Sequence, residues 1–181
     1  QEGAAIYVPL AHRYLGAPEP PDPASAFELL GPLLEDAELP KSSADLKRDE
    51  VALSRVGVEL RGGTFDTALA SYLLEAGRHA HDLEDVARSE LGMELDSYDR
   101  VTDKQRGSRT PLPEVEVERA CEWAGQRADV ALRASSVLRQ RIETEGFDEL
   151  LDELELPLAH VLAKMERVGI RLDTDRIEEI A

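Results

Sequence analysis

Cysteine is almost absent from this chain: Cys121 is the only one in 181 residues. That excludes an intrachain disulfide and a cysteine-rich zinc site, and it fits a reducing cytoplasm. Long apolar runs are missing too. None approaches the roughly 20 residues that cross a bilayer, so no membrane partner is expected. Gln1-Glu2-Gly3 leads into a strand-like run instead of a basic and then apolar leader. The absence of an initiating Met fits a fragment that begins partway through a fold. Positive charge is also scarce, with 21 Lys and Arg against 38 Asp and Glu, a formal net charge of −17. Such a field repels a polyphosphate and disfavours free-standing nucleic-acid binding, although a local basic face or a cationic neighbouring domain can offset it. No internal repeat or low-complexity tract is present. What remains is 42% apolar residues, enough to build a core in one domain with an appended piece.

Local patterning predicts a helix-rich chain with few strands. Ala4-Ala5-Ile6-Tyr7-Val8-Pro9-Leu10 predicts a short strand ended by proline, and residues 16–23, with four prolines, a surface loop. Ser25 is placed to cap a helix over 25–35, with Phe27, Leu30 and Leu34 on one face and Pro32 as a kink point. Residues 39–43 make a poor strand. A second helix is expected over 45–56, stopped by Gly57, with 58–60 extended after it. Two more follow: 66–75, capped by Asp66 or Thr67, and 82–91, closed by Gly92. Residues 94–113 form a polar loop carrying Lys104, Arg106 and Arg109. The longest helix covers 113–145, where Val117, Cys121, Ala124, Ala128, Ala131, Leu138 and Ile142 form one stripe, with Ser135 filling the remaining step.

The run from Gly146 to Ala181 ends in what looks like an opening. An apolar helix face passes through Phe147, Leu151, Leu154, Leu158, Val161, Met165 and Val168, with a bend or an early start expected around Pro157. Gly169 then stops the helix, and Ile170-Arg171-Leu172-Asp173 starts a new element. This ELPL…ME+xGI+LD arrangement closely resembles the junction in bacterial DNA polymerase I of family A, where a proofreading-type domain hands over to the polymerase domain. The resemblance extends over nearly the whole chain, from AAIYVPLAHRYL through LKRDEVALSRVGVELRGGTFDTALASYLLEAGRHAHDLEDVA. It implies an α/β, helix-rich, incomplete ribonuclease-H-like 3′–5′ exonuclease fold that lacks its first strands, which would precede Gln1. Residues 1–145 would form the exonuclease-like domain, and residues 146–181 the junction and first polymerase elements.

The family's exonuclease chemistry uses four acidic side chains to hold two divalent ions that activate water and stabilise the leaving oxygen. Its N-x-x-x-D motif falls on Asp45-Leu46-Lys47-Arg48-Asp49, which puts Asp49 at a metal-binding position and Asp45 where the family has Asn. Capping the helix is the expected role of Asp45. The family's Y-x-x-x-D motif falls on Trp123-Ala124-Gly125-Gln126-Arg127, a run on the long helix whose i and i+4 positions share a face. Trp123 has no phenolic oxygen, and Arg127 puts a permanent cation where a carboxylate should be. Asp129 is rotated from Arg127 by about 200° and does not replace it. The D-x-E motif would lie upstream of Gln1. With Asp49 the one remaining ligand, no exonuclease activity and no cofactor in this chain are expected, and Arg127 is expected to pair with Asp49 in place of the lost metal.

His79-Ala80-His81 lacks a third ligand and is expected at the surface or at a helix entrance; Cys121 is expected to be buried packing, and Ser42-Ser43 has no triad partner. Lys104, Arg106 and Arg109 are candidates for nucleic-acid contact, against the alternative of plain solvation. The resemblance implies a noncatalytic scaffold segment of a bacterial, cytoplasmic, nucleoid-associated DNA polymerase. That parent would be monomeric, contact DNA, use Mg2+, and perform template-directed synthesis in replication and repair through a downstream polymerase domain. The competing readings are an active metal-dependent 3′–5′ proofreading exonuclease and an independent helical interaction module.

Overall fold

Asp22 and Pro23 together begin the first helix in the computed structural model, which describes residues 3–103, 108–174 and 176–177. The Asp22 carboxylate accepts the Ser25 N–H at 2.9 Å, and Pro23 occupies a first-turn position where its missing N–H costs no bond. Helix α1 therefore runs Pro23–Leu34, two residues ahead of the expected start.

A parallel pair of strands follows, β1 (Lys41–Ser43) and β2 (Gly63–Asp66), with helix α2 (Leu46–Ser54) as the crossover. Ser42 pairs with Phe65 and Ser43 with Asp66. Both strands correct the local expectation. Residues 41–43, within the stretch expected to be a poor strand, are strand despite weak propensity, because Lys41 meets a pairing partner, its N–H donating to Gly62 O at 2.7 Å. Residues 4–10 are not strand, because among the described residues no strand pairs with them. They instead run past the start of the long helix: Tyr7 Oη and His12 Nε2 are 2.6 Å apart, and the Arg13 N–H donates to Pro113 O at 2.7 Å. Gly62, with φ +68°, is required at the turn before β2, since a Cβ there would collide with Leu39 O and lie 2.9 Å from Asp36 O.

Helices α3 (Thr67–Leu74), α4 (Leu83–Leu91) and α6 (Val117–Glu145) pack over this unit, with a short helix, α5 (Tyr98–Val101), inside the stretch expected to be loop and a 3-10 turn, Leu112–Glu114, at its end. The stops behave as their residues dictate. Asp82 accepts the Asp85 N–H at 2.9 Å, and Gly92 and Gly146 close α4 and α6 in the left-handed conformation. On α6 the buried face is Ala120, Val130, Ala131, Ala134, Leu138 and Ile142. The expected stripe holds for Ala131, Leu138 and Ile142 and is displaced toward the N-terminus: Cys121 and Ala124 are half-buried and Ala128 is exposed. Trp123 and Arg127 occupy the inward side in that half, which breaks the apolar pattern.

After Gly146 the chain makes one wide π-helical turn, Leu150–Glu155, before α7 (Leu156–Val168). The turn answers Pro157, which has no N–H to donate and clashes with a normal helical carbonyl; widening the ring by one residue relieves both. The Leu156 N–H reaches back to Leu151 O. The extra residue also rotates the helix. Leu151, Leu156, Ala159 and Ala163 are buried, whereas Leu154, Leu158, Val161, Met165 and Val168 of the expected face lie exposed. The main core joins Leu46, Phe65, Ala70, Val86, Ala134, Leu138, Ile142, Leu151 and Leu156.

Candidate functional site

Asp45 and Asp49 both sit in the first turn of α2, where the unpaired amides draw carboxylates. Asp45 is the cap: its Oδ1 accepts the Arg48 N–H at 3.0 Å. Asp49 is turned toward β1, and its Oδ2 accepts a short hydrogen bond from the Ser43 hydroxyl, whose oxygen in turn accepts the Asp45 N–H at 3.0 Å. Burial pushes the Asp49 carboxyl above the usual carboxylate range against the opposing pull of Ser43 and Arg48. A cavity of about 420 Å³ opens beside it, lined among others by Ser42, Ser43, Leu46, Leu53 and Leu60.

One residue not assigned to the site by its motif organises this end. Asp66, at the close of β2, is buried and accepts three amides: Leu46 at 2.7 Å, Ala68 at 2.9 Å and Leu69 at 3.0 Å. Its capping of α3 is legible locally; its hold on the first amide of α2 is a tertiary contact 20 residues away.

Arg127 does not meet Asp49. Its guanidinium forks onto Glu84 in the first turn of α4, with Nη1 2.5 Å from Oε1 and Nη2 3.3 Å from Oε2, and it lies over the Trp123 ring at 5.2 Å. The expected Asp49–Arg127 pair is corrected on this point: Glu84 lies on a helix packed against α6, and its bidentate geometry captures the guanidinium. The pair is mostly covered, at 22% and 28% side-chain exposure. Burial drives the Glu84 carboxyl up, but the hydrogen bond from Arg127, together with the backbone and the attraction of Arg127 and Arg48, outweighs it and leaves the group below its usual range. Trp123 donates its Nε1–H to Asp96 O at 3.0 Å. Asp129 points elsewhere, toward Arg133 at 3.0 Å and the Gly3 amide at 2.6 Å.

The other candidates disperse. His81 Nδ1 and the Ser71 hydroxyl are 2.9 Å apart, with the His81 ring edge-on to Tyr72, while His79 is exposed. Cys121 is half-buried. Arg109 pairs with Asp99 and stacks over Tyr98 at 5.1 Å; Lys104 and Arg106 lie outside the described residues. Among the described residues, no group of three or more His, Cys, Asp or Glu side chains comes together to hold a metal ion. The residues present do not fit a pair of divalent cations, because the fixed cation at 127 is already bound to a carboxylate and Asp49 is engaged by Ser43.

Asp49 carries a stability signature. Its folded-state pKa is raised, so its stabilising contribution is full below the unfolded value of about 3.9 and is lost as pH rises through the folded value. Asp49→Asn keeps an oxygen acceptor for Ser43 and removes the buried charge. The expected result in thermal unfolding is a transition a few degrees higher at neutral pH, with the gain vanishing near pH 4. A lower transition at neutral pH would contradict the burial cost assigned to this carboxylate.

Comparison with known proteins places these positions in context. The family model for the DNA polymerase I ribonuclease H-like domain matches residues 20–132. DNA polymerase I of Pseudomonas aeruginosa is 35% identical over 178 residues, covering 97% of this chain and 19% of that protein. DNA polymerase I of Bacillus subtilis is 34% identical over 161 residues, covering 89% and 18%. The chain thus spans about a fifth of the length of the curated relatives it matches. Among solved structures, the POL domain of Pol1 from M. smegmatis, in complex with DNA primer-template and dNTP, superposes with a TM-score of 0.70 at 29% identity, covering 86% of this chain and 24% of that one. Brucella melitensis NrnC shares the fold, with a TM-score of 0.58 at 20% identity over 87% of this chain and 71% of that one.

Proposed function

The chain belongs to the family of DNA polymerase I ribonuclease H-like domains, and on that premise we propose that it is a noncatalytic 3′–5′ exonuclease-like scaffold within a DNA polymerase I. Residues 1–145 form the exonuclease-like unit, and residues 146–181 the junction into the polymerase domain. A two-stranded sheet is marginal alone, and β1–β2 is the whole sheet among the described residues, which supports completion by further strands of a ribonuclease-H-like fold. The exposed apolar side of α7 supports packing against a following polymerase domain. Template-directed synthesis, with Mg2+ held by carboxylates outside this sequence, belongs to that parent, as do its roles in replication and repair. No helix among the described residues is long and apolar enough to cross a membrane.

The observation that carries the reading is the Arg127–Glu84 fork. A two-metal site requires negative charge at this point of α6; here a guanidinium is fixed there by a partner on α4. The long protein containing this chain is expected to leave 3′-labelled single-stranded DNA intact with Mg2+ or Mn2+ when nucleotides are withheld. Titrating either metal into the 181-residue chain is expected to move its thermal transition no further than in Asp49→Ala. Metal-dependent degradation that disappears in Asp49→Ala would establish an active proofreading nuclease instead.

A further inference from the structure

Three residues of α6 spaced four apart, Arg119, Trp123 and Arg127, grip one neighbouring segment and the start of α4. Arg119 Nη2 donates to Arg100 O at 2.5 Å, and its guanidinium meets Asp103 at 2.6 and 2.7 Å. Trp123 binds Asp96 O through its indole N–H and packs on Tyr98, with ring centroids 5.6 Å apart. Arg127 stacks on the same indole and is itself held by Glu84. Tyr98 carries the Arg109 guanidinium, which pairs with Asp99. Beneath this ladder, Val101, Val115 and Ala120 close a small separate core against which Trp123 and Tyr7 pack.

We propose that residues 96–103 form a strap locked over the former catalytic face of α6, with Trp123 and Arg127 as the lock. This rests on the noncatalytic reading and extends it: the substitutions at 123 and 127 convert a face built to address a phosphate into an internal joint. The two changes belong together. An indole supplies both the donor for Asp96 O and the broad ring that packs, tilted, against Tyr98, and the guanidinium covers that ring while neutralising Glu84. A carboxylate at 127 would instead face Glu84 as a like charge, so the family's usual residue there is incompatible with the closed strap. The joint is also independent of metal, because the links described are hydrogen bonds, ion pairs and ring contacts from side chains of α6 to side chains and backbone carbonyls of this chain.

Hydrogen exchange on the long protein that contains this chain tests the lock. The amides of Val101 and Thr102, bonded to Ser97 O at 3.2 Å and Tyr98 O at 3.0 Å, report the strap, and those of Leu138 and Ile142 report the main core. In Arg127→Asp the strap amides are expected to lose about tenfold in protection while the core amides keep theirs, as for a separate local opening. Trp123→Phe, which keeps a ring and disturbs packing less, should produce a smaller loss of the same kind. Unchanged strap protection in both variants, or an equal loss at Ile142, would overturn the proposal. Unchanged protection in a protein without nuclease activity removes the strap alone, whereas metal-dependent degradation by the unaltered protein removes the noncatalytic reading.

Discussion

Asp66→Ala is expected to destabilise the chain by about 2–4 kcal/mol, the sum of a lost helix cap and a buried amide left without an acceptor. The carboxylate accepts Ala68 and Leu69 at the start of α3 and, from the same buried position, Leu46 at the start of α2. Alanine removes all three bonds and leaves the Leu46 N–H without the buried carboxylate that accepts it. Asp66→Asn keeps one oxygen, enough for either the two α3 amides or the Leu46 N–H but not both, and should cost somewhat less than alanine. Burial raises the Asp66 carboxyl above its usual range against its three amide bonds, so its stabilisation is full below about pH 3.9 and falls as pH rises through the folded value. The Asn variant should therefore compare best with the parent at neutral pH and worst in acid. Urea unfolding with an unchanged m-value gives the measurement. A loss below about 1 kcal/mol for alanine would show that the two helix starts are not tied through this residue.

Leu138→Ala is expected to cost about 2–5 kcal/mol, the range for emptying a fully enclosed leucine site. Leu138 is inaccessible to solvent at the centre of the main core, with Leu46, Phe65, Val86 and Ile142 in the same cluster. The natural control is Val161→Ala on α7. Val161 is half exposed, so its loss should change stability by no more than about 0.5 kcal/mol in the isolated chain. Equal costs at the two positions would contradict the rotated face of α7.

Those two sites differ in how far local pattern reaches. Leu138 and Ile142 are legible as core from helical spacing alone, because α6 is regular and its C-terminal half is conventionally amphipathic. Val161 belongs to a stripe of equally good spacing that the structure leaves outward. The apolar period assumes 3.6 residues per turn throughout, and the π-turn before Pro157 inserts one residue, shifting the buried set to Leu156, Ala159 and Ala163. In the N-terminal half of α6, Trp123 and Arg127 hid the inward face by interrupting its apolar character.

Helix ends were written in single residues. Asp66 as a cap and Gly92 as a stop act through their own side chain or backbone freedom, so no distant partner is needed to recognise them. Strands required partners. Lys41–Ser43 has poor propensity but pairs with Gly63–Asp66, while the β-branched and aromatic residues at 6–8 have no strand paired with them among the described residues.

The amino-acid sequence by itself determined the helix-rich character, the family resemblance, and the residue types at 45, 49, 123 and 127, since each is a property of local order. Tertiary structure alone decided that Arg127 belongs to Glu84, 43 positions away, that Asp49 answers to Ser43, and that Asp66 joins two helices. Charge pairing depends on which surfaces packing brings within a few ångströms of one another, and that information resides in no single segment.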